Sequence, residues 1–213
     1  MSESLIIIGC GGHGREIYGV VQAINELSEK PRKVLGFLDD SPNEVNLGRL
    51  KRLGVPFLGD VGQLECMGGD KRYVIGIGDP RVRASVAARI GDKQLAAAPL
   101  VHPAATVGLG NEFSNGTVLL AGARVTTNVK IGAHVHINQN ATVGHDNIIE
   151  DFVQVNPLAA ISGDCSIGRE SLIGTGAAIL QGLSVGERAT VGAGACVVRS
   201  VAAGQVVKGV PAH

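Results

Sequence analysis

The chain predicts a small α/β unit with a parallel sheet, followed by a parallel β-helix, and three observations carry that expectation. First, every sixth position from Val101 through Val107, Phe113, Leu119, Val125, Ile131, Ile137 and Val143 to Val197 is apolar, without a break. Second, the residues before about 99 lack that period and alternate short apolar runs with stretches of helical spacing. Third, a glycine-rich segment, Gly9-Cys10-Gly11-Gly12-His13-Gly14, separates the first apolar run from the first helical stretch.

In chain order, Ser4–Ile8 reads as a strand and Arg15–Ser28 as a helix. Lys33–Leu38 reads as a second strand ending at Asp39-Asp40. Pro56–Leu58 and Tyr73–Ile77 read as further strands, the latter closing at Gly78-Asp79-Pro80, and Arg81–Ile90 as another helix. Strands alternating with helices imply a parallel sheet with crossover connections. The expected division is a nucleotide-binding unit over residues 1–98 and a repeat unit over residues 99–213.

In the repeat, a strict period of six fits neither a helix at 3.6 nor a flat strand at 2. It is the period of a parallel β-helix, in which three short strands make one coil of roughly eighteen residues and a large residue points inward from each. Two positions before most of these large residues sits a small one, as at Ala105, Ala123, Ala141, Ala159, Cys165 and Ala177. Stacked coils then bury a column of Val and Ile. Hydrophobic residues make up 45% of the chain but aromatic ones only 3%, which suits a narrow prism better than a core centred on rings.

The charge and hydropathy pattern narrows the function. A formal net charge of zero gives no electrostatic support for binding nucleic acid. No segment has bilayer-spanning length, and Leu5–Cys10 is too short for a secretory signal, so no membrane partner is expected. Cys10, Cys66, Cys165 and Cys196 lack metal-type spacing, and a reducing cytoplasm is the expected location.

Gly9, Gly11 and Gly14 satisfy G-x-G-x-x-G between a strand and a helix. That pattern gives a tight turn whose amides face an anion at a helix N-terminus, and an acid follows at the end of the second strand. The span is short for a full dinucleotide fold, so one Rossmann-like half-site for one nucleotide diphosphate is expected. His13 adds an imidazole donor beside the phosphates or substrate; the plain alternative is a glycine turn with His13 exposed.

Among the histidines of the repeat, His145 follows the inward Val143 and precedes Asp146, which can fix its tautomer and stabilise the imidazolium, as a general base requires. The alternative is a solvated corner histidine beside an unrelated acid. His134, His136 and His145 also offer three ring nitrogens to zinc, though no carboxylate or cysteine ligand set accompanies them.

Taken together, the sequence resembles the NeuD/PglD-like sugar acetyltransferases of the left-handed β-helix, hexapeptide-repeat superfamily. The resemblance rests on Gly9–Gly14, Leu38-Asp39-Asp40, Ile77-Gly78-Asp79, the stretch from Asn138 to His145-Asp146, and the tail Gly209-Val210-Pro211-Ala212. It implies a left-handed coil and a homotrimer that moves an acetyl group from acetyl-CoA to a sugar amine or hydroxyl, with no metal. It also implies catalytic roles for His145 and Asp146, substrate contacts for Asn138 and for Gly11, Gly12, His13, Asp39, Asp40 and Gly78, and a coenzyme groove at Gly163, Gly174, Thr175 and Ala193. Gln154 stands where one branch of the family has a histidine touching the coenzyme.

The implied reaction is direct N-acetylation of a nucleotide-linked amino sugar, with His145 accepting the amine proton and no acyl-enzyme at Cys10. Three other readings remain at this point: O-acetylation of a sialic-acid-like sugar, a zinc enzyme resembling carbonic anhydrase, and a non-catalytic nucleotide-sugar binder.

Overall fold

The structure, a computed structural model, describes residues 3–67, 71–91, 95–96 and 99–213. The first part runs β1 (Ser4–Ile8), α1 (Gly12–Glu26), β2 (Lys33–Leu38), α2 (Glu44–Leu53), α3 (Gln63–Cys66), β3 (Lys71–Ile75), α4 (Pro80–Ile90) and β4 (Leu95–Ala96). The four strands form one parallel sheet in the order β2-β1-β3-β4. Leu5 through Ile8 are fully buried, as an unbroken apolar strand covered on both faces must be.

Two expectations are corrected here. Pro56–Leu58 is not a strand; Phe57 makes a single bridge to Phe37, because Gly54 and Gly59, both at positive φ, turn the chain on either side. In addition, α2 is a helix that the apolar spacing did not show. It buries only Leu50, so it carries almost no periodic signal; its ends are set instead by Asn43, which accepts from the Asn46 amide, and by the left-handed Gly54.

The second part is a parallel β-solenoid of two-residue strands from β5 (Leu100–Val101) to β22 (Val206–Val207). Its strands stack into three faces, and most stacked partners are one coil apart, as in His136 on Gln154 and Thr142 on Ala160. The inward residues from Leu119 to Val197 are buried and form one continuous core. The first coil departs from the expected column. Val107 is 41% exposed, since no coil stacks beyond it. At the corners, Asn128, His134, Asn140 and Asp146 take left-handed backbone angles, with φ between 55° and 60°. Among the described residues, no helix is long and apolar enough to cross a membrane.

The α/β part sits on the first face of the solenoid, which carries Leu100, Val118, His136 and Gln154. Leu100, Val118 and Leu120 share one apolar cluster with Leu5, Ile7, Val20, Val21 and Val74. Arg83 of α4 pins the junction. Fully buried, it donates to the carbonyl oxygens of Ile77, His134, Phe152 and Val153 and to Gln154 Oε1. Burial pushes its pKa down to about 9.

Candidate active site

The second and third faces meet along a corner formed by residues 126–129, 144–147 and 162–165 of successive coils. His145 and Asp146 sit there, half exposed. His145 Nδ1 lies 2.7 Å from Asp146 Oδ2, while Asn128, one coil away, donates to Asp146 Oδ1 at 2.6 Å. That hydrogen bond from Asn128, then the one from His145, holds the Asp146 carboxyl below its ordinary range. An ionised carboxylate only accepts, so Nδ1 carries the ring proton and Nε2 is left with a lone pair. The ring lies over Gly163, where a β-carbon would collide with Nε2.

The turn that aims this pair is built by Asn147, which sequence reasoning missed. Fully buried, Asn147 donates to the carbonyls of Gly144 and Ser162 at 2.8 and 2.9 Å and accepts from the Cys165 amide at 2.9 Å. The signal was present, because Asn147 occupies a repeat slot that is filled mostly by Ala, Val, Cys, Ser or Thr. Asn111 fills the same slot two coils earlier and makes the same pattern of bonds.

A second concave site lies at the C-terminal ends of β1 and β2. It is a cleft of about 260 Å³ lined by Gly9, Asp39, Asp40, Ser41, Val61 and Ile77. The strand order reverses between β1 and β3, which is where ligands of open parallel sheets bind. Gly14 is required by packing, since a β-carbon there would overlap the Gly9 carbonyl. Gly11 and Gly78 have nothing within 4 Å of a β-carbon and face open space. Gly11 caps α1 without a side-chain bond, so the first amides of the helix, from Gly12 and His13, lack intrahelical acceptors.

The neighbours of this loop are more committed than the sequence suggested. Asp39 accepts from the Cys10 and Ser41 amides at 2.8 and 2.9 Å. Asp40 accepts from the Val61 amide at 3.1 Å and from Arg89 at 2.6 Å. Both acids therefore build the cleft wall, with lone pairs already engaged by the protein. His13 is corrected too: Nδ1 lies 3.2 Å from Glu16 Oε2 and Nε2 lies 2.8 Å from His136 Nδ1, so neither nitrogen is spare. Burial, followed by the Asp39 carboxylate, pushes the Cys10 thiol up to about 12, which keeps it protonated and poorly nucleophilic.

The structure does not gather all the expected residues. Asn138, at the corner of the first and second faces, is buried and donates to Asn156 Oδ1 at 3.3 Å. Gly174, Thr175 and Ala193 lie along that same corner, a full face away from Gly163 and His145. Gln154 is corrected: it is 2% exposed beneath the α/β part, bonded to Arg83 and Asn156, with no side-chain atoms open to a coenzyme. The zinc set does not converge either. His134 stacks between Tyr73 and Phe152, His136 faces His13, and His145 stands on a different corner. Among the described residues, no three His, Cys, Asp or Glu side chains cluster as metal ligands.

Residues 4–90 match the family model of the PglD N-terminal domain. Similarity to solved structures extends over both parts. The acetyltransferase domain of PglB from Neisseria gonorrhoeae FA1090, solved in complex with acetyl coenzyme A, is 29% identical, with 100% of this chain and 99% of that one covered and a TM-score of 0.86. Along its whole length this chain is similar to the PglD-like sugar acetyltransferases. PerB from Caulobacter crescentus, solved with CoA and GDP-perosamine, is 28% identical over 99% of this chain and 96% of that one, with a TM-score of 0.87. WeeI from Acinetobacter baumannii AYE is 28% identical over 100% and 99%, with a TM-score of 0.82. No curated protein matches the sequence. The likeness to these structures over both parts makes the solenoid a left-handed β-helix and the protein an acyltransferase.

Proposed function

We propose that this PglD-like protein transfers the acetyl group of acetyl-CoA directly to the amine of a nucleotide-linked amino sugar, with His145 as general base. The observation that carries this reading is the chain from Asn128 through Asp146 to His145, which ends at an Nε2 lone pair on an exposed corner. PglB was solved with acetyl coenzyme A and PerB with CoA and GDP-perosamine, and this supports the same two ligands here.

In this mechanism the amine nitrogen attacks the thioester carbonyl while His145 Nε2 takes its proton. An amide bond forms, the carbon–sulfur bond breaks, and the departing thiolate recovers that proton from the imidazolium. Asp146 orients the ring and offsets its transient charge. A backbone N–H at a coil corner meets the oxyanion. In the cleft, the amides of Gly12 and His13 at the α1 N-terminus receive the phosphates, with Gly11 and Gly78 leaving room for close approach.

The reading requires more than one copy. The α/β part covers the first face, whereas His145 projects from the corner opposite that face, so the cleft and base of a single chain point apart. We assign the working form to a homotrimer in which each site joins the cleft held by residues 1–98 of one copy to the His145 corner of a neighbour. Gly174, Thr175 and Ala193 would then complete the coenzyme groove from the corner facing Gly163 across the interface.

Acetyl-CoA consumption measured against UDP- and GDP-linked amino sugars, free amino sugars and hydroxyl-bearing sialic acids tests this function. Turnover restricted to nucleotide-linked amines is expected. Turnover only on a hydroxyl would replace the N-acetyl reading.

A further inference from the structure

His136 holds an outward position on the first face, stacked between Val118 and Gln154, and is fully buried by the α/β part. Its Nδ1 lies 2.8 Å from Nε2 of His13, with the rings tilted 41° and their centroids 5.0 Å apart. On the far side of His13, Nδ1 meets Glu16 Oε2 at 3.2 Å. The His13 bond is the main cause holding the Glu16 carboxyl below its ordinary range, so this oxygen accepts and His13 Nδ1 carries a proton. Burial, then the Arg83 charge, keeps His136 neutral. The arrangement that leaves no buried N–H stranded has His136 Nδ1–H donating to His13 Nε2. His136 Nε2, which has no partner, then bears only a lone pair.

The loop that this bond reaches is short of other handles. Gly9, Gly11, Gly12 and Gly14 have no side chains and wide backbone freedom. Cys10 is tied through its amide to Asp39 and through its carbonyl to Arg15. Beyond Cys10, Arg15 ties the first turn of α1 to Asn46 of α2, and the His13 ring ties it to the solenoid.

We propose that His136 is a positioning residue for the glycine loop: the solenoid, through the His136–His13 hydrogen bond, sets the first turn of α1 in the geometry that receives the nucleotide sugar. This rests on the phosphate-binding role given above to that turn. It assigns His136 no contact with substrate, and it makes His13 a handle on the loop rather than a donor to the phosphate.

The test compares His136→Leu, which removes the donor while filling the space, with His136→Asn, whose Nδ2 stands near the lost Nδ1. Titrations of the purified protein with UDP, GDP and acetyl-CoA are read separately by calorimetry. His136→Leu is expected to weaken binding of whichever nucleotide the wild type takes by about tenfold, the scale of one partly buried hydrogen bond, and to leave acetyl-CoA unchanged. His136→Asn should restore nucleotide affinity to within about twofold. The double variant His13→Ala/His136→Leu should be no worse than the weaker single variant. Equal nucleotide affinity in wild type and His136→Leu would overturn the positioning role alone. So would an Asn variant as poor as the Leu variant, or parallel loss of acetyl-CoA binding. A wild type that binds neither nucleotide would overturn the phosphate reading and this role together.

Discussion

Two inactive variants mixed in one population should regain activity under the proposed arrangement, in which each site joins the cleft of one copy to the base of a neighbour. His145→Ala removes the base but leaves the glycine loop intact. Gly11→Val blocks the loop but leaves His145, and since a β-carbon at Gly11 meets nothing within 4 Å the fold should tolerate it. In a trimer assembled at random from equal amounts, each interface draws its loop from one copy and its base from the next. A productive interface needs the His145→Ala copy on the loop side and the Gly11→Val copy on the base side, a chance of half times half, so about one quarter of wild-type turnover is expected. The parent His145→Ala trimer should be down by about 10²–10⁴, so the recovery stands well clear of background. The assay is acetyl-CoA consumption by co-expressed, differently tagged chains, with native mass spectrometry confirming mixed trimers. Mixed trimers no faster than the mean of their parents would refute a site shared between copies.

Four further outcomes are expected. His145→Ala alone should lower kcat by about 10²–10⁴ without changing nucleotide affinity or Tm, since the ring is half exposed at the corner. Gly163→Ala should displace the His145 ring and cut kcat by about tenfold or more, as measured at saturating substrates, while the corner itself holds. Gly14→Ala should instead damage the fold, because its β-carbon would meet the Gly9 carbonyl; a loss of about 3 kcal/mol, or roughly 6–12 °C in Tm by calorimetry, is expected. Stability should also fall with acid. Burial, then the Arg83 charge, pushes His134 down to about 4 from 6.5, so between those values the unfolded chain binds the proton first. About 3 kcal/mol is then lost as pH drops from 6.5 to 4, and urea titrations of His134→Phe should show a flatter dependence.

The solenoid was legible because each inward residue repeats at a spacing no other regular structure shares, and one coil fixes the next. The glycine loop was legible for a related reason: Gly14 is demanded by a backbone collision that local spacing already implies. What the sequence hid depends on contacts between distant segments. Nothing near His136 announces that His13, far away in the chain, will cover it, so an outward-facing position of the repeat is fully buried. Gln154 was misplaced for the same reason, because its partner Arg83 lies on a helix whose docking face leaves no mark in the hexad. Asn147 is a different case. It interrupts the small-residue slot in plain view, and asking how a buried amide satisfies its donors would have found the turn beneath His145.

The apolar cluster that joins Leu100, Val118 and Leu120 to β1 and α1 also constrains how such enzymes diversify. A transplanted sugar-recognition half from a relative would arrive with a foreign underside and leave these residues and Arg83 badly matched. Shifts in acceptor preference should therefore come from point changes around the cleft rim, with the seam inherited whole. Chimeras should succeed only when the matching coil positions travel with the graft.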